Sequence, residues 1–315
     1  MNCCCCGRPI RNGGVNGWHK SCVQRFFGTD AVPQIEIDDR ILEEIAKEST
    51  GKGVTVPGVQ KKLSLNLHSD GKNSRLTLVN FPAGFILKPQ VAEFERLPEA
   101  EQLVMSMADA TGISTVPHAL IANGDSFAYI TKRVDRIIDN EGLRMLAMED
   151  FCQLDLRLTQ DKYKGSYERC AKIISRYSFH QKIDIAELFM RLVFSFVVGN
   201  SDMHLKNFSL IETQEASGVY LLSPAYDLLP VNVIMPEDKE EFALTVNGKK
   251  TNIRKKDFSV FAQECGISAA SAEKMIAKVV SMEPRYLEMC AGSLLSGQMK
   301  ERFSELIRNR CDVLR

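Results

Sequence analysis

The feature that most limits how this chain can fold is the apolar run Leu192–Val198, which opens directly onto the polar string Gly199-Asn200-Ser201-Asp202-Met203-His204-Leu205-Lys206-Asn207. A membrane-spanning helix needs about 20 apolar residues, so this shorter run belongs in a protein core, as the end of a helix over 185–198. The polar string must leave that buried element as a loop, and polar loops held by rigid elements are where sites concentrate. The chain has 315 residues, with 40 basic and 40 acidic side chains and 44% apolar residues. Those proportions exclude disorder as the main state. They also exclude a chain-wide basic footprint, so no direct nucleic-acid binding is expected. The length suggests two domains or one two-lobed unit. No membrane span and no secretory signal are predicted, which points to the cytoplasm.

Element by element, a helix is predicted over Arg40–Glu48. Short alternating segments at Lys62–Leu67, Arg75–Leu78 and Phe85–Lys88 read as strands of an antiparallel sheet. A helix is predicted over Pro98–Thr111, with Leu103, Met107 and Ala110 facing inward and Gly112 closing it. Val116–Ala122 and Phe127–Lys132 flank Asn123-Gly124-Asp125, a hairpin signal. Beyond residue 140 the pattern turns helical: Met148–Leu156, Tyr167–Tyr177, Ala186–Val198, Lys256–Cys265, Ala269–Met282 and Gln298–Val313. A second Asn-Gly pair, Asn247-Gly248, is predicted to join strands Phe242–Val246 and Lys250–Ile253. A β-rich first lobe followed by a helical second lobe is an α+β arrangement.

In the polar string, Asp202 and Asn207 stand five apart. That spacing matches kinase catalytic loops, where the Asp accepts a hydroxyl proton and the Asn binds a metal. Asp227 follows in Ser223-Pro224-Ala225-Tyr226-Asp227-Leu228-Leu229-Pro230, after a strand-like Val219–Leu222, as a second metal-binding Asp would. Upstream, Lys88 ends a strand and can reach phosphates, with Glu101 on the next helix as its partner. Val56, Gly58 and Gln60 belong to a glycine turn that can cover phosphates. Singly, each residue has a plainer reading: Asp202 as a cap or turn former, Lys88 as a solvated lysine, Glu101 as first-turn helix charge, His204 as a satisfied loop histidine. The ordered set of lysine, glutamate, Asp-x4-Asn and Asp is what points to phosphoryl transfer.

The stretches VPGVQKKLSL, FILKP, LPEAE, YITKRVDR, MEDFCQ, GNSDMHLKNFSLI and LSPAYDLLP, in this order over about residues 54–262, resemble the HipA family of toxin serine/threonine kinases. The resemblance implies a two-lobed, protein-kinase-like α+β fold with an N-lobe over 29–135 and a helical C-lobe over 136–315. It implies ATP- and Mg2+-dependent phosphorylation of a protein serine or threonine. Asp202 would be the catalytic base, Asn207 and Asp227 the magnesium ligands, and Lys88 the phosphate-holding lysine. His204, Gln153 and Tyr226 would line the nucleotide pocket, and the backbone of Lys132–Val134 would meet adenine. The family commonly has Glu and Phe where Lys132 and Val134 stand, so only backbone contacts carry over. Thr55, at the start of the glycine turn, corresponds to the family's autophosphorylated serine. The chain resembles the short HipT-like kinases, whose expected partners are a small HipS-like protein and a helix-turn-helix antitoxin. The family's targets imply an aminoacyl-tRNA synthetase as substrate. A small-molecule kinase, or a nucleotide-binding regulator without transfer activity, are the other classes the residues allow.

Residues 1–28 form a cysteine-rich head. Cys3-x2-Cys6, then His19-x2-Cys22 after twelve intervening residues, gives three thiols and an imidazole, a Cys3His set suited to structural Zn2+. Cys4 and Cys5 are expected to be spectators, and Trp18 to pack over the site. Free reactive thiols or a lipidated cluster are the alternatives. Cys152, Cys170, Cys265, Cys290 and Cys311 read as buried thiols.

Overall fold

A computed structural model describes residues 2–11, 13–35, 62–69, 74–78, 84–139 and 142–315. The helix expected over 40–48 and the glycine turn with Thr55, Val56, Gly58 and Gln60 lie outside the described residues. The chain divides into two compact units, Met1–Gln102 with Val116–Leu143, and Leu103–Thr115 with Arg144–Arg315.

The first unit opens with helix α1 (Lys20–Phe27), closed by Gly28 in the left-handed conformation. Six strands follow: β1 (Gln34–Ile35), β2 (Leu63–Ser69), β3 (Ser74–Leu78), β4 (Phe85–Pro89), β5 (His118–Asn123) and β6 (Ser126–Lys132). They form one sheet in the order β1-β3-β2-β4-β6-β5, antiparallel except for β1 on β3. The period-two pattern is visible in β2, where Leu63 and Leu65 are buried and Ser64 is exposed. The β5–β6 hairpin turns at Gly124-Asp125, with Asn123 paired to Ser126. The turn thus falls one residue later than the Asn-Gly pair suggests. Gly124 takes the first central position with φ 57°, where a type II′ turn calls for glycine.

The head and the sheet share one apolar core. Val23, Phe26 and Phe27 of α1 pack with Trp18 in the same cluster as Leu65, Phe85 and Ile130 of the sheet. The Phe26 and Phe85 rings are 5.9 Å apart and Trp18 and Phe27 5.4 Å, within the range of favourable aromatic pairs.

Helix α2 (Leu97–Thr111) is buried all round from Leu97 to Met105, and Asp109 and Ala110 in its last turn are exposed. Leu103 and Met107 are buried as expected, but Ala110 is not. A single inward stripe misdescribes a helix that is enclosed and then emerges.

After β7 (Arg136–Asp139) and β8 (Gly142–Met145), which pair with each other, the second unit contains β9 (Met148–Asp150), α3 (Phe151–Leu154), α4 (Tyr167–Tyr177), α5 (Gln181–Val198), β10 (Ser209–Glu212), β11 (Tyr220–Leu222) and α6 (Val231–Ile234). Helices α7 (Lys255–Glu264), α8 (Ala269–Ser281), α9 (Glu283–Ala291) and α10 (Gly297–Leu314) complete it. Three expectations need correction. Met148–Asp150 is a strand paired to β10 rather than the start of a helix. Asp150 caps α3 through a reciprocal box with Gln153, which starts the helix at Phe151.

Asn247-Gly248 does form the turn, with φ 48° and 74°, but its flanks, among the described residues, extend into no strand beyond the Val246–Lys249 bridge. Val246 and Lys249 exchange both backbone bonds across the turn and Phe242 N–H reaches Lys250 O, but other groups bond elsewhere: Thr245 N–H to Gly165 O, Tyr167 N–H to Thr245 O, and Ile253 N–H to Glu241 Oε2. The sequence reading also lacks α9, whose Pro284 lies in the first helical turn, where proline's missing N–H is tolerated.

Helix α5 carries the apolar run and is buried over most of its length. It ends at Gly199, φ 67°. A Cβ there would meet the Leu306 side chain at 3.1 Å and Asn232 Cβ at 3.3 Å, so glycine is required by both conformation and space. No helix among the described residues is long and apolar enough to cross a membrane.

Candidate active site

In the first unit, Lys88 sits on β4 between β2 and β6, opposite Tyr129 in register. Its Nζ donates to Glu101 Oε1 on α2 at 2.5 Å, and both side chains are almost completely buried. The Tyr129 ring lies 5.2 Å from the ammonium, a cation–π distance. The lysine–glutamate pair expected from the sequence is therefore formed. Further along β6, the N–H of Lys132 donates to Pro117 O and that of Arg133 to Gly84 O, both at 2.9 Å. Any adenine contact at Lys132–Val134 is thus left to carbonyls or to the Val134 N–H.

In the second unit, the string after Gly199 folds on itself. The backbone carbonyl of Asp202 accepts from His204 N–H and from Asn207 Nδ2, each at 2.8 Å. That second bond fixes the Asn207 amide. With its nitrogen committed, its oxygen is the atom left for a cation. Ser201 Oγ donates to Asp238 Oδ2 at 2.9 Å, anchoring the start of the loop. The Asp202 carboxylate accepts from the Tyr163 hydroxyl at 2.9 Å, and the Tyr163 ring meets His204 edge-on at 5.1 Å.

Burial raises the Asp202 carboxyl above the ordinary carboxylate range. The Tyr163 hydrogen bond and Lys162 pull it down, and the charges of Asp227 and Asp238 push it up again. Tyr163→Phe removes a lowering contribution. For an Asp202 that works as a base, the acid limb of a pH–rate profile should then move to higher pH. An unmoved or downward-shifted limb would show that Asp202 is not the titrating base.

Asp227 follows β11 with φ 58°, a left-handed conformation uncommon for a residue with a side chain and frequent at functional sites. The Tyr226 hydroxyl donates to Lys206 O at 3.1 Å and bonds Ser209 Oγ at 2.5 Å. It braces the loop from beneath, and its ring rather than its hydroxyl is left for a ligand. Gln153 is exposed, its Oε1 accepting from Asp150 N–H in the α3 box. Lys206 Nζ bonds Asp150 Oδ2 at 2.6 Å, tying the loop to the strand before that helix. Sequence reasoning missed Tyr163 and Asp238. Neither lies in a pattern that separates it from loop residues, because each reaches the loop only through the fold.

In the head, Cys3, Cys6, His19 and Cys22 bring their donor atoms within 4.8 Å of one another. His19 Nδ1 is 3.4 Å from Cys6 Sγ and 3.9 Å from Cys22 Sγ. Tetrahedral zinc with Zn–N of about 2.05 Å and Zn–S of about 2.3 Å places such atoms about 3.6 Å apart. His19 Nε2 faces Pro9 O at 3.2 Å, the backbone partner that metal-bound histidines usually have. The residues therefore fit zinc. Burial works against ionising Cys3, but backbone N–H groups at Cys6, His19 and Cys5 outweigh it and hold the thiol at about 7. Trp18 is buried against Phe26 and Phe27. Cys5 is buried and Cys4 half-buried. Of the later five cysteines, all are buried except the half-buried Cys265.

Residues 54–285 match the family profile described as HipA-like C-terminal domain. The chain is 28% identical over 278 residues to "Putative kinase Y4mE" of Sinorhizobium fredii, covering 84% of this chain and 64% of that protein. It is 30% identical over 258 residues to "Putative kinase Y4dM" of the same organism, covering 78% and 59%. A "Putative kinase" of Haemophilus influenzae is 26% identical over 200 residues, covering 59% and 55%. The chain thus spans 55–64% of the length of these curated relatives. Among solved structures it is similar to HipA of Shewanella oneidensis MR-1, solved with HipB and operator DNA. That match has a TM-score of 0.69 and 19% identity and covers 82% of this chain and 64% of that one. It is also similar to the Helicobacter pylori proinflammatory kinase CtkA, with a TM-score of 0.52, 13% identity, and coverage of 80% and 95%. The mixed helix and strand fold is that of HipA and of a kinase, as expected from the sequence.

Proposed function

Because the chain belongs to the family of HipA-like C-terminal domains, we propose that it is an ATP- and Mg2+-dependent serine/threonine protein kinase, a HipT-like toxin with a zinc-binding head. The observation that carries this reading is the Asp202–Asn207 loop. One side chain is a half-buried carboxylate oriented by Tyr163, and the other is an amide turned by its own nitrogen so that its oxygen is available.

Magnesium, when bound, neutralises charge on the transferring phosphoryl group. The chain's own residues do the rest. Tyr163 occupies Oδ1 of Asp202, so Oδ2 is the atom that takes the substrate hydroxyl proton. Asn207 Oδ1 and the Asp227 carboxylate are the metal ligands. Glu101 holds the Lys88 ammonium in place, so that it meets the triphosphate as a fixed charge. His204, Gln153 and the Tyr226 ring line the nucleotide pocket, and Val56, Gly58 and Gln60 cover the phosphates. Thr55 is the autophosphorylation position. The substrate is an aminoacyl-tRNA synthetase, and the partners are a helix-turn-helix antitoxin and a HipS-like protein, in the cytoplasm. The HipA of Shewanella oneidensis solved with HipB and operator DNA supports the antitoxin partner.

The test is transfer of labelled γ-phosphate to purified synthetases with and without Mg2+, comparing wild type with Lys88→Met/Glu101→Gln. The paired change is needed because Lys88→Met alone leaves Glu101 buried and charged, which destabilises by about 3–5 kcal/mol. The double variant should melt near the wild type and transfer nothing. Phosphate appearing only on small molecules would favour a metabolite kinase. Nucleotide binding without transfer would favour a regulator.

A further inference from the structure

The head and the phosphate-binding lysine belong to one circuit of contacts inside the first unit. Cys4 and Cys5 lie between the donor residues Cys3 and Cys6, and their backbone carbonyls are both engaged by the rest of the unit. The Leu120 N–H of β5 donates to Cys4 O at 2.9 Å. Gln102 Nε2 of α2 donates to Cys5 O at 3.1 Å. That second bond fixes which end of the amide is which, so Gln102 Oε1 is the acceptor from His118 Nδ1 at 2.8 Å. His118 stacks on Tyr129, with centroids 6.3 Å apart and planes at 16°. Tyr129 in turn lies beneath Lys88. The circuit closes through Glu101, the neighbour of Gln102 on α2, which holds the Lys88 ammonium.

Successive helix residues point about 100° apart, so α2 offers Glu101 to the lysine and Gln102 to the head from one turn. Gln102 and His118 are both buried, and a buried hydrogen bond is costly to lose when its partner shifts away. The cysteines of the head are free thiols, so no disulfide holds the Cys3–Cys6 turn in place of a metal.

We infer that Gln102 is a positioning residue through which the metal-loaded Cys3-Cys6-His19-Cys22 head sets the Lys88–Glu101 pair, so that loading of the head tunes nucleotide affinity. This rests on the kinase and zinc readings above. It adds a regulatory link that neither contains: the head acts on the nucleotide site through α2.

The test uses the full chain and a non-hydrolysable MgATP analogue, with affinity measured by calorimetry. Gln102→Met keeps the size of the side chain and removes its hydrogen bonds to Cys5 O and His118. It should weaken the analogue about tenfold, the scale of coupling between contacting residues. In the Lys88→Met/Glu101→Gln background the same change should have no further effect, because the pair it positions is gone. Additive losses would mark Gln102 as merely structural and overturn the inference. A second measurement does not depend on any variant folding. Amide hydrogen exchange over residues 97–104 of the wild type should quicken when zinc is chelated and slow again when it is restored. Unchanged exchange, with unchanged analogue affinity, overturns the inference and leaves the kinase reading standing. A wild type that binds no nucleotide sinks the kinase reading and takes this link with it.

Discussion

Asp202→Asn should lower phosphoryl transfer by about 10²–10⁴, the usual contribution of a positioned general base, and at the same time raise the melting temperature. The two effects have one cause. Burial lifts the Asp202 carboxyl above its ordinary value of 3.8, and the charges of Asp227 and Asp238 add to the lift. A carboxyl whose folded-state pKa is raised stabilises the fold below its unfolded pKa. That stability is lost as pH rises through the folded value. At neutral pH the ionised side chain is therefore a net strain on the second unit. Asparagine removes the charge and keeps an oxygen for the Tyr163 hydroxyl. The backbone carbonyl that holds Asn207 and His204 is untouched. The gain is read as a rise in melting temperature, about 2–4 °C per kcal/mol for a domain of 150–250 residues. The gain should shrink as pH falls toward the unfolded carboxyl's range, because the wild-type side chain is then protonated too. Scanning calorimetry at several pH values beside a transfer assay checks both halves. Near-normal transfer by the variant, or a lower melting temperature at neutral pH, would remove Asp202 from the role of a half-buried, charged base.

What the sequence made legible follows the range of the interactions that encode it. Helix α4 has the predicted bounds Tyr167–Tyr177 because its stop and start are local, with Ser166 accepting from Arg169 N–H as the N-cap. The strands around Lys88 were legible because alternation is a property of neighbouring residues. The Lys88–Glu101 pair could be anticipated because a strand and the helix after it are joined by a short connection. The failures are long-range. Met148–Asp150 has helical apolar spacing, but β10 offers it a ladder. The flanks of Asn247-Gly248 alternate like strands, yet Gly165 and Tyr167 take up Thr245's backbone groups. Tyr163 is 39 residues from the carboxylate it orients, and nothing in Lys162-Tyr163-Lys164-Gly165 announces that partner. The head was legible as a donor set from spacing alone. Its dependence on Phe85 and the rest of the sheet was not, because core sharing leaves no local pattern.

Stripping zinc from the full chain, or replacing the buried Cys22 with Ser, should produce a large loss of stability. Cys22 lies in the first turn of α1, and the same short helix carries Val23, Phe26 and Phe27 into the core shared with β4. A helix of eight residues is too short to persist by itself in water, so it depends on the sheet along one face and, if the four donors hold zinc, on the metal at one end. Structural zinc in small finger peptides has an apparent binding energy of about 10–16 kcal/mol. Part of that is recovered here if the aromatic side chains stay packed without it. The net loss expected is several kcal/mol, on the order of ten degrees in melting temperature. Cys4→Ser is the control: Cys4 is outside the donor set and half-buried, so its substitution should change melting by much less. Elemental analysis should find one zinc per chain in the wild type and the Cys4 variant, and well below one in Cys22→Ser. Wild-type protein purified without zinc yet melting at the same temperature would mean that the sheet alone holds the head, and that the four donors converge without a metal to bind.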